Sequence, residues 1–161
     1  MEDLFIIKIG GETIGSKEIL LNLLKAIVVS GKKVILVHGG GKKVTELAQK
    51  LEIPQQMIEG RRITSAETLD LCTMVYAGLI NKNIVAGISA QKTIAIGLSG
   101  ADLNCVISKK RDASVINYGF VGDVVKVDQG VFDYFISGNI IPVVNSISIS
   151  DEGELLNNRF R

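Results

Sequence analysis

A chain of 161 residues with 47% hydrophobic content is long enough for one continuous core and too apolar to be disordered. Its 18 basic and 17 acidic residues leave a net charge of +1, with no run of like charge beyond short ones such as Lys109-Lys110-Arg111, which argues against a nucleic-acid partner. The apolar stretch from Ile19 to Val29 is too short to span a membrane, Met1-Glu2-Asp3 is acidic where a secretory leader is basic, and Cys72 and Cys105 belong to no CxxC, so a cytoplasmic chain with reduced thiols and no membrane partner is expected.

Leu4 to Ile9 reads as an apolar strand that closes on Gly10-Gly11, with Lys8 inside it. A charge in an apolar strand must be paired, point into a cavity, or sit on an edge strand where it reaches solvent. Ile19, Leu20, Leu23, Leu24 and Ile27 mark a helical stripe that ends at Ser30-Gly31. Val34 to Val37 is then a run of β-favouring residues that enters His38 and three glycines, Gly39, Gly40 and Gly41. Val44, Leu47, Ala48 and Leu51 follow at helical spacing. Strand, glycine turn and helix in that order make an anion site, because backbone N–H groups without a Cβ beside them open the helix. The GxxxxGK[ST] and GxGxxG patterns are both absent there, and the alternative is a sharp turn that binds nothing. The two strands and their helices form a βαβ beginning, with both glycine turns at the carboxyl edge of a parallel sheet.

Gln55 to Thr64 reads as a hairpin turning near Glu59-Gly60, and Arg61-Arg62 on it are either carboxylate clamps or solvated charges. Thr64 and Glu67 have capping-box spacing for a helix from about Ala66 to Ile80, and a second helical segment is expected from about Asn81 to Ala90. Thr93 to Leu98 is a third core strand, followed by Ser99-Gly100-Ala101-Asp102. Short antiparallel strands are expected at Val106–Lys109 and within Tyr118–Val127. Asp128 is placed to cap a helix burying Val131, Phe132, Phe135 and Ile136. Ile140 to Val144 is the fourth core strand, with Pro142 near its beginning, and a last hairpin delivers Asn157-Asn158.

Taken together, Ile7-Lys8-Ile9-Gly10-Gly11, Val37-His38-Gly39-Gly40-Gly41, Gly60-Arg61-Arg62-Ile63-Thr64, Gly97 to Asp102, Tyr118 to Val124, and Gly138 to Val144 with Gly153 to Asn157 resemble the amino acid kinase family, and within it the acetylglutamate kinases. The resemblance implies a three-layer α/β/α sandwich with a mainly parallel central sheet. It implies transfer of a phosphoryl group from ATP with Mg2+ to the side-chain carboxylate of N-acetyl-L-glutamate. By the same resemblance Lys8 is the catalytic cation, Gly10 and Gly11 donate to phosphates, Gly40 and Gly41 contact the substrate backbone-to-ligand, Arg62 clamps its α-carboxylate, and Asn157 holds its N-acyl end.

The likeness departs at Asn157-Asn158-Arg159-Phe160-Arg161, where relatives carry an alanine-aspartate. Residues 1–161 are therefore expected to be a substrate lobe without the nucleotide lobe, weak or inactive alone and pairing as a homodimer through the helix near 66–80. The other readings are a non-catalytic binding or assembly module, and a kinase for another acylated amino acid such as N-succinylglutamate.

Overall fold

The computed structural model describes residues 3–58 and 60–158. Its centre is a parallel sheet of β1 (Leu4–Ile9), β2 (Lys33–His38), β5 (Ala95–Leu98) and β8 (Ile141–Asn145), ordered β1-β2-β8-β5. Side chains alternate across β2 and β8 and so build two cores. Val34, Leu36 and Val143 face a layer made of α2 (Lys17–Ser30), α3 (Gly41–Lys50), α4 (Ala66–Thr73) and α5 (Asn81–Ser89). Ile35 and Val144 face α6 (Gln129–Ser137) through Phe132, with Cys105 and Val106 beside them. Helices on both sides of a parallel sheet make the three-layer α/β/α sandwich.

Pro142 has no N–H to give, and pairing of β8 with β2 starts one residue later, at Leu36 with Val143. The edge strand β1 pairs with β2 in the register Lys8 with Val37 and Ile9 with His38, which brings both glycine turns to the same sheet edge. A second sheet, ordered β10-β9-β6-β7, joins β6 (Val106–Lys110), β7 (Gly122–Val127), β9 (Ile147–Ile149) and β10 (Leu155–Asn157). The hairpin of β3 (Gln56–Ile58) and β4 (Arg61–Ile63) stands apart from both sheets.

Three local expectations need correction. The helical segments meeting at Ile80 and Asn81 form one continuous helix, Ala66–Ser89, because no breaker separates them and the backbone stays helical through both residues. Its middle, Met74–Ile80, is wound as a π-helix. By length and composition this helix is apolar enough to cross a membrane, but half of its most apolar window is buried and Leu71, Cys72, Val75, Ile84 and Ile88 belong to the core. The helix cap is Ser65, whose Oγ accepts from Thr68 N at 3.2 Å, and not Thr64. Thr64 is extended and fully buried, its N–H on Tyr118 O and its carbonyl on Phe120 N. Finally, Ile19 and Leu51 fall on helical stripes yet are 56% and 54% exposed, since each stripe is wider than the face its helix buries. The readings that involve Met1, Glu2, Glu59 and Arg159 to Arg161 lie outside the described residues.

Candidate functional site

Above the carboxyl edge of the sheet is a cavity of about 310 Å³, lined by Lys8, His38 to Gly41, Arg61, Arg62, Tyr76, Arg111, Ser146, Asn157 and neighbouring residues. Among the described residues four lining side chains are cations, Lys8, Arg61, Arg62 and Arg111, and none is a carboxylate. Such a hollow attracts anions.

The glycine turn is its floor. Gly40 has φ +154°, and a Cβ there would run into Ile80 Cδ1 and stand 3.1 Å from the Tyr76 ring. Tyr76 and Ile80, one helical turn apart, thus press on the turn from the π-wound segment. Each carbonyl of the turn is held by the protein. His38 O accepts from Ser146 Oγ at 3.0 Å, Gly39 O pairs with His38 Nδ1 at 2.9 Å, and Gly40 O accepts from Val44 N at 3.1 Å. Gly41 O accepts from Thr45 Oγ1 and from Arg62 Nη2, both at 3.0 Å. The N–H groups of Gly40 and Gly41, with those of Lys42 and Lys43, open α3, where no intrahelical acceptor exists, and are donors suited to an anion.

Arg62 comes from β4 and is half-buried. Its Nη2 also donates to Thr45 Oγ1 at 2.8 Å and its Nη1 to Gln55 Oε1, so the guanidinium is moored to the start of α3. Arg61 and Arg111 lie over the Tyr118 ring at 6.0 and 5.6 Å, and Arg111 is further paired with Asp123, which pushes its pKa up and holds the Asp123 carboxyl below its ordinary range. Asn157, at the end of β10, donates through Nδ2 to Thr64 Oγ1 at 3.2 Å and to Cys72 Sγ at 3.8 Å. Burial raises the Cys72 thiol and the Tyr76 phenol above their ordinary values, so both are neutral donors or acceptors here.

Lys8 shares a sheet face with Ile6, Ile35 and Val37, the face that α6 covers only toward β8. At the uncovered edge its side chain is exposed and stands between the cationic cavity and a second, mainly apolar hollow of about 520 Å³ lined by Ile6, Ile35, Val127 and Phe132. Of the residues singled out from sequence, Lys8, Gly40, Gly41, Arg62 and Asn157 surround the cationic cavity. Gly10 and Gly11 do not line it; Gly11 borders a different hollow between α2, α3 and the long helix. A Cβ on either would meet nothing within 4 Å. Sequence reasoning missed Tyr76, Ser146 and Arg111, which arrive from the long helix, the β8–β9 junction and the segment after β6, with no local signature.

A parallel α/β/α sandwich with a glycine-lined anion site at the carboxyl edge of its strands defines a class of phosphate- and carboxylate-handling proteins. The chain belongs to the amino acid kinase family, whose model matches residues 3–159. It is 47% identical over 157 residues to the acetylglutamate kinase of Bacteroides thetaiotaomicron, covering 97% of this chain and 61% of that protein. The acetylglutamate kinase of Cytophaga hutchinsonii is 49% identical over 158 residues, with 98% and 60% covered. The crystal structure of smu.665 from Streptococcus mutans UA159 superposes with a TM-score of 0.85 at 29% identity, over 98% of this chain and 64% of that one. The chain thus spans about 60% of the length of the curated relatives it matches.

Proposed function

We propose that the cationic cavity binds N-acetyl-L-glutamate, and that the chain is the substrate lobe of an acetylglutamate kinase of arginine biosynthesis. The observation that carries this reading is a hollow of about 310 Å³ with four cations, a floor of glycine N–H donors and, among the described residues, no carboxylate, in a chain 47% identical to a named acetylglutamate kinase. Arg62 is assigned to the α-carboxylate, Gly40 and Gly41 to backbone contacts with the ligand, and Asn157 to its N-acyl end.

In the full reaction an oxygen of the ligand's side-chain carboxylate attacks the γ-phosphorus of ATP. The bond to the bridging oxygen of ADP breaks, and an acyl phosphate forms without proton transfer. Two anions must be held in line against their repulsion, so positioned cations and amides supply the catalysis. Lys8, exposed at the cavity wall, is assigned to the charge on the moving phosphoryl. Gly10 and Gly11 are assigned to phosphate oxygens, which is consistent with the open space a Cβ would enter at both. Among the described residues no group of three or more His, Cys, Asp or Glu side chains is placed to hold a metal ion. Pairing of two copies through the long helix is proposed on its exposed Met74 and Leu79, 60% and 47% accessible.

Calorimetry with N-acetyl-L-glutamate tests the assignment. Heat of binding in the wild type, lost in Arg62→Ala and in Asn157→Ala, supports it; an absent or unchanged isotherm overturns it in favour of a binding or assembly module. Hydroxamate trapping with MgATP reads whether any phosphoryl transfer occurs.

A further inference from the structure

Asn81 is completely buried where the π-wound segment gives way to α5. Its Nδ2 donates to Val143 O at 2.9 Å and lies 3.1 Å from His38 Nε2. A carbonyl can only accept, so the Val143 contact fixes which end of the Asn81 amide is the nitrogen, and His38 Nε2 must then be an acceptor. The proton of the neutral imidazole is therefore on Nδ1, pointing at Gly39 O at 2.9 Å. Lys82 Nζ is 3.4 Å from Asn81 Oδ1, and Lys8, Arg61, Arg62 and Arg111 line the same cavity as His38. Burial disfavours an imidazolium and lowers the His38 pKa, and the hydrogen bond to the Gly39 carbonyl opposes this only in part.

Room for Asn81 comes from β5. A Cβ at Gly97 would collide with Asn81 Oδ1, so the glycine of that strand is the slot through which the amide reaches the sheet. Tethering the helix to the sheet needs only the Val143 bond. The second bond, to His38, touches the site.

We infer that Asn81 is a positioning residue: by donating to His38 Nε2 it fixes the Nδ1–H imidazole, which ties back the Gly39 carbonyl and keeps the Gly40 and Gly41 N–H groups aimed at the ligand's carboxylate. The ligand in this statement rests on the function proposed above, whereas the tautomer and the geometry of the turn do not. His38 is accordingly no general base; it is a strut between a helix and a loop.

The experiment is NMR of the full ¹⁵N-labelled chain, whose single histidine makes the imidazole signals unambiguous. The wild type should show Nδ1–H and bare Nε2 at neutral pH. Asn81→Asp reverses the polarity of the contact, because a carboxylate demands Nε2–H. His38 should change tautomer or become charged, the Gly39, Gly40 and Gly41 amide resonances should move, and N-acetyl-L-glutamate should bind about tenfold more weakly or worse. Should that variant not fold, Asn81→Ser, too short to reach the ring, should give the same glycine shifts and the same loss of affinity. An Nε2–H imidazole in the wild type overturns the inference, as do folded variants whose glycine resonances and affinity are unchanged. A wild type that binds no N-acetyl-L-glutamate overturns the proposed function instead, and the tautomer and glycine resonances still decide the role of Asn81.

Discussion

The turn after β2 and the turn after β1 begin from the same ingredients, an apolar parallel strand that runs into glycines and then a helix. The first is finished from inside the chain: Tyr76 and Ile80 press on Gly40, Ser146 and His38 hold the carbonyls, and Arg62 is moored to Gly41. The second is open. Gly10 has an ordinary extended conformation, and nothing within 4 Å would meet a side chain at Gly10 or Gly11. Similar local motifs therefore differ in their surroundings: Gly40 is required by packing, while Gly10 and Gly11 face open space.

The largest expected effect breaks or upholds that contrast directly. Gly40→Ala adds a Cβ at positive φ against Ile80 and should destabilise the fold by about 2–4 kcal/mol in urea unfolding. Gly11→Ala, at the first position of a short helix, should change stability by about 1 kcal/mol or less. Equal costs at the two positions would erase the distinction drawn here.

Arg62→Ala should weaken N-acetyl-L-glutamate binding by about tenfold to a hundredfold in calorimetry, since a charge-assisted contact is lost and the hairpin is released from α3. Lys8→Met should leave that affinity within about threefold, as its ammonium lies toward the open side and is assigned to phosphate rather than to the amino acid.

A smaller effect concerns pH. Burial lowers the His38 pKa below its ordinary 6.5, so the folded chain takes up this proton less readily than the unfolded one. The contribution is fully present above 6.5 and is lost as pH falls through the folded value, so denaturant midpoints should drop on that acid limb. His38→Asn should remove this limb. The smallest change expected is for Asp123→Asn, because the Asp123 side chain is 57% exposed: about 1 kcal/mol or less, read by thermal melting at low salt.

Much of the architecture was legible in the one-dimensional pattern. The β-favouring run Val34 to Val37, the stripe of Leu20, Leu24 and Ile27, and the Asp128 cap are all local signals, and the capping oxygen of Asp128 does accept from Gly130 N at 3.0 Å. Thr64 was misread as a cap for the opposite reason. Its spacing to Glu67 is local, but its backbone is claimed by Tyr118 and Phe120 more than 50 residues away, and a sheet-like bridge outranks a cap that Ser65 can supply.

The sequence by itself determined where strands, glycine turns and helices lie, and that two turns of one chemical kind would share a sheet edge, because period and turn chemistry are properties of neighbouring residues. Tertiary structure alone decided which turn is braced and which is bare, that Tyr76 and Asn81 on one long helix brace the first, and that Arg61 from β4 and Arg111 just past β6 meet over Tyr118. Those choices depend on side chains that approach through space across tens to more than a hundred residues of chain, as Ser146 does with His38, and no short window of residues contains such a pair.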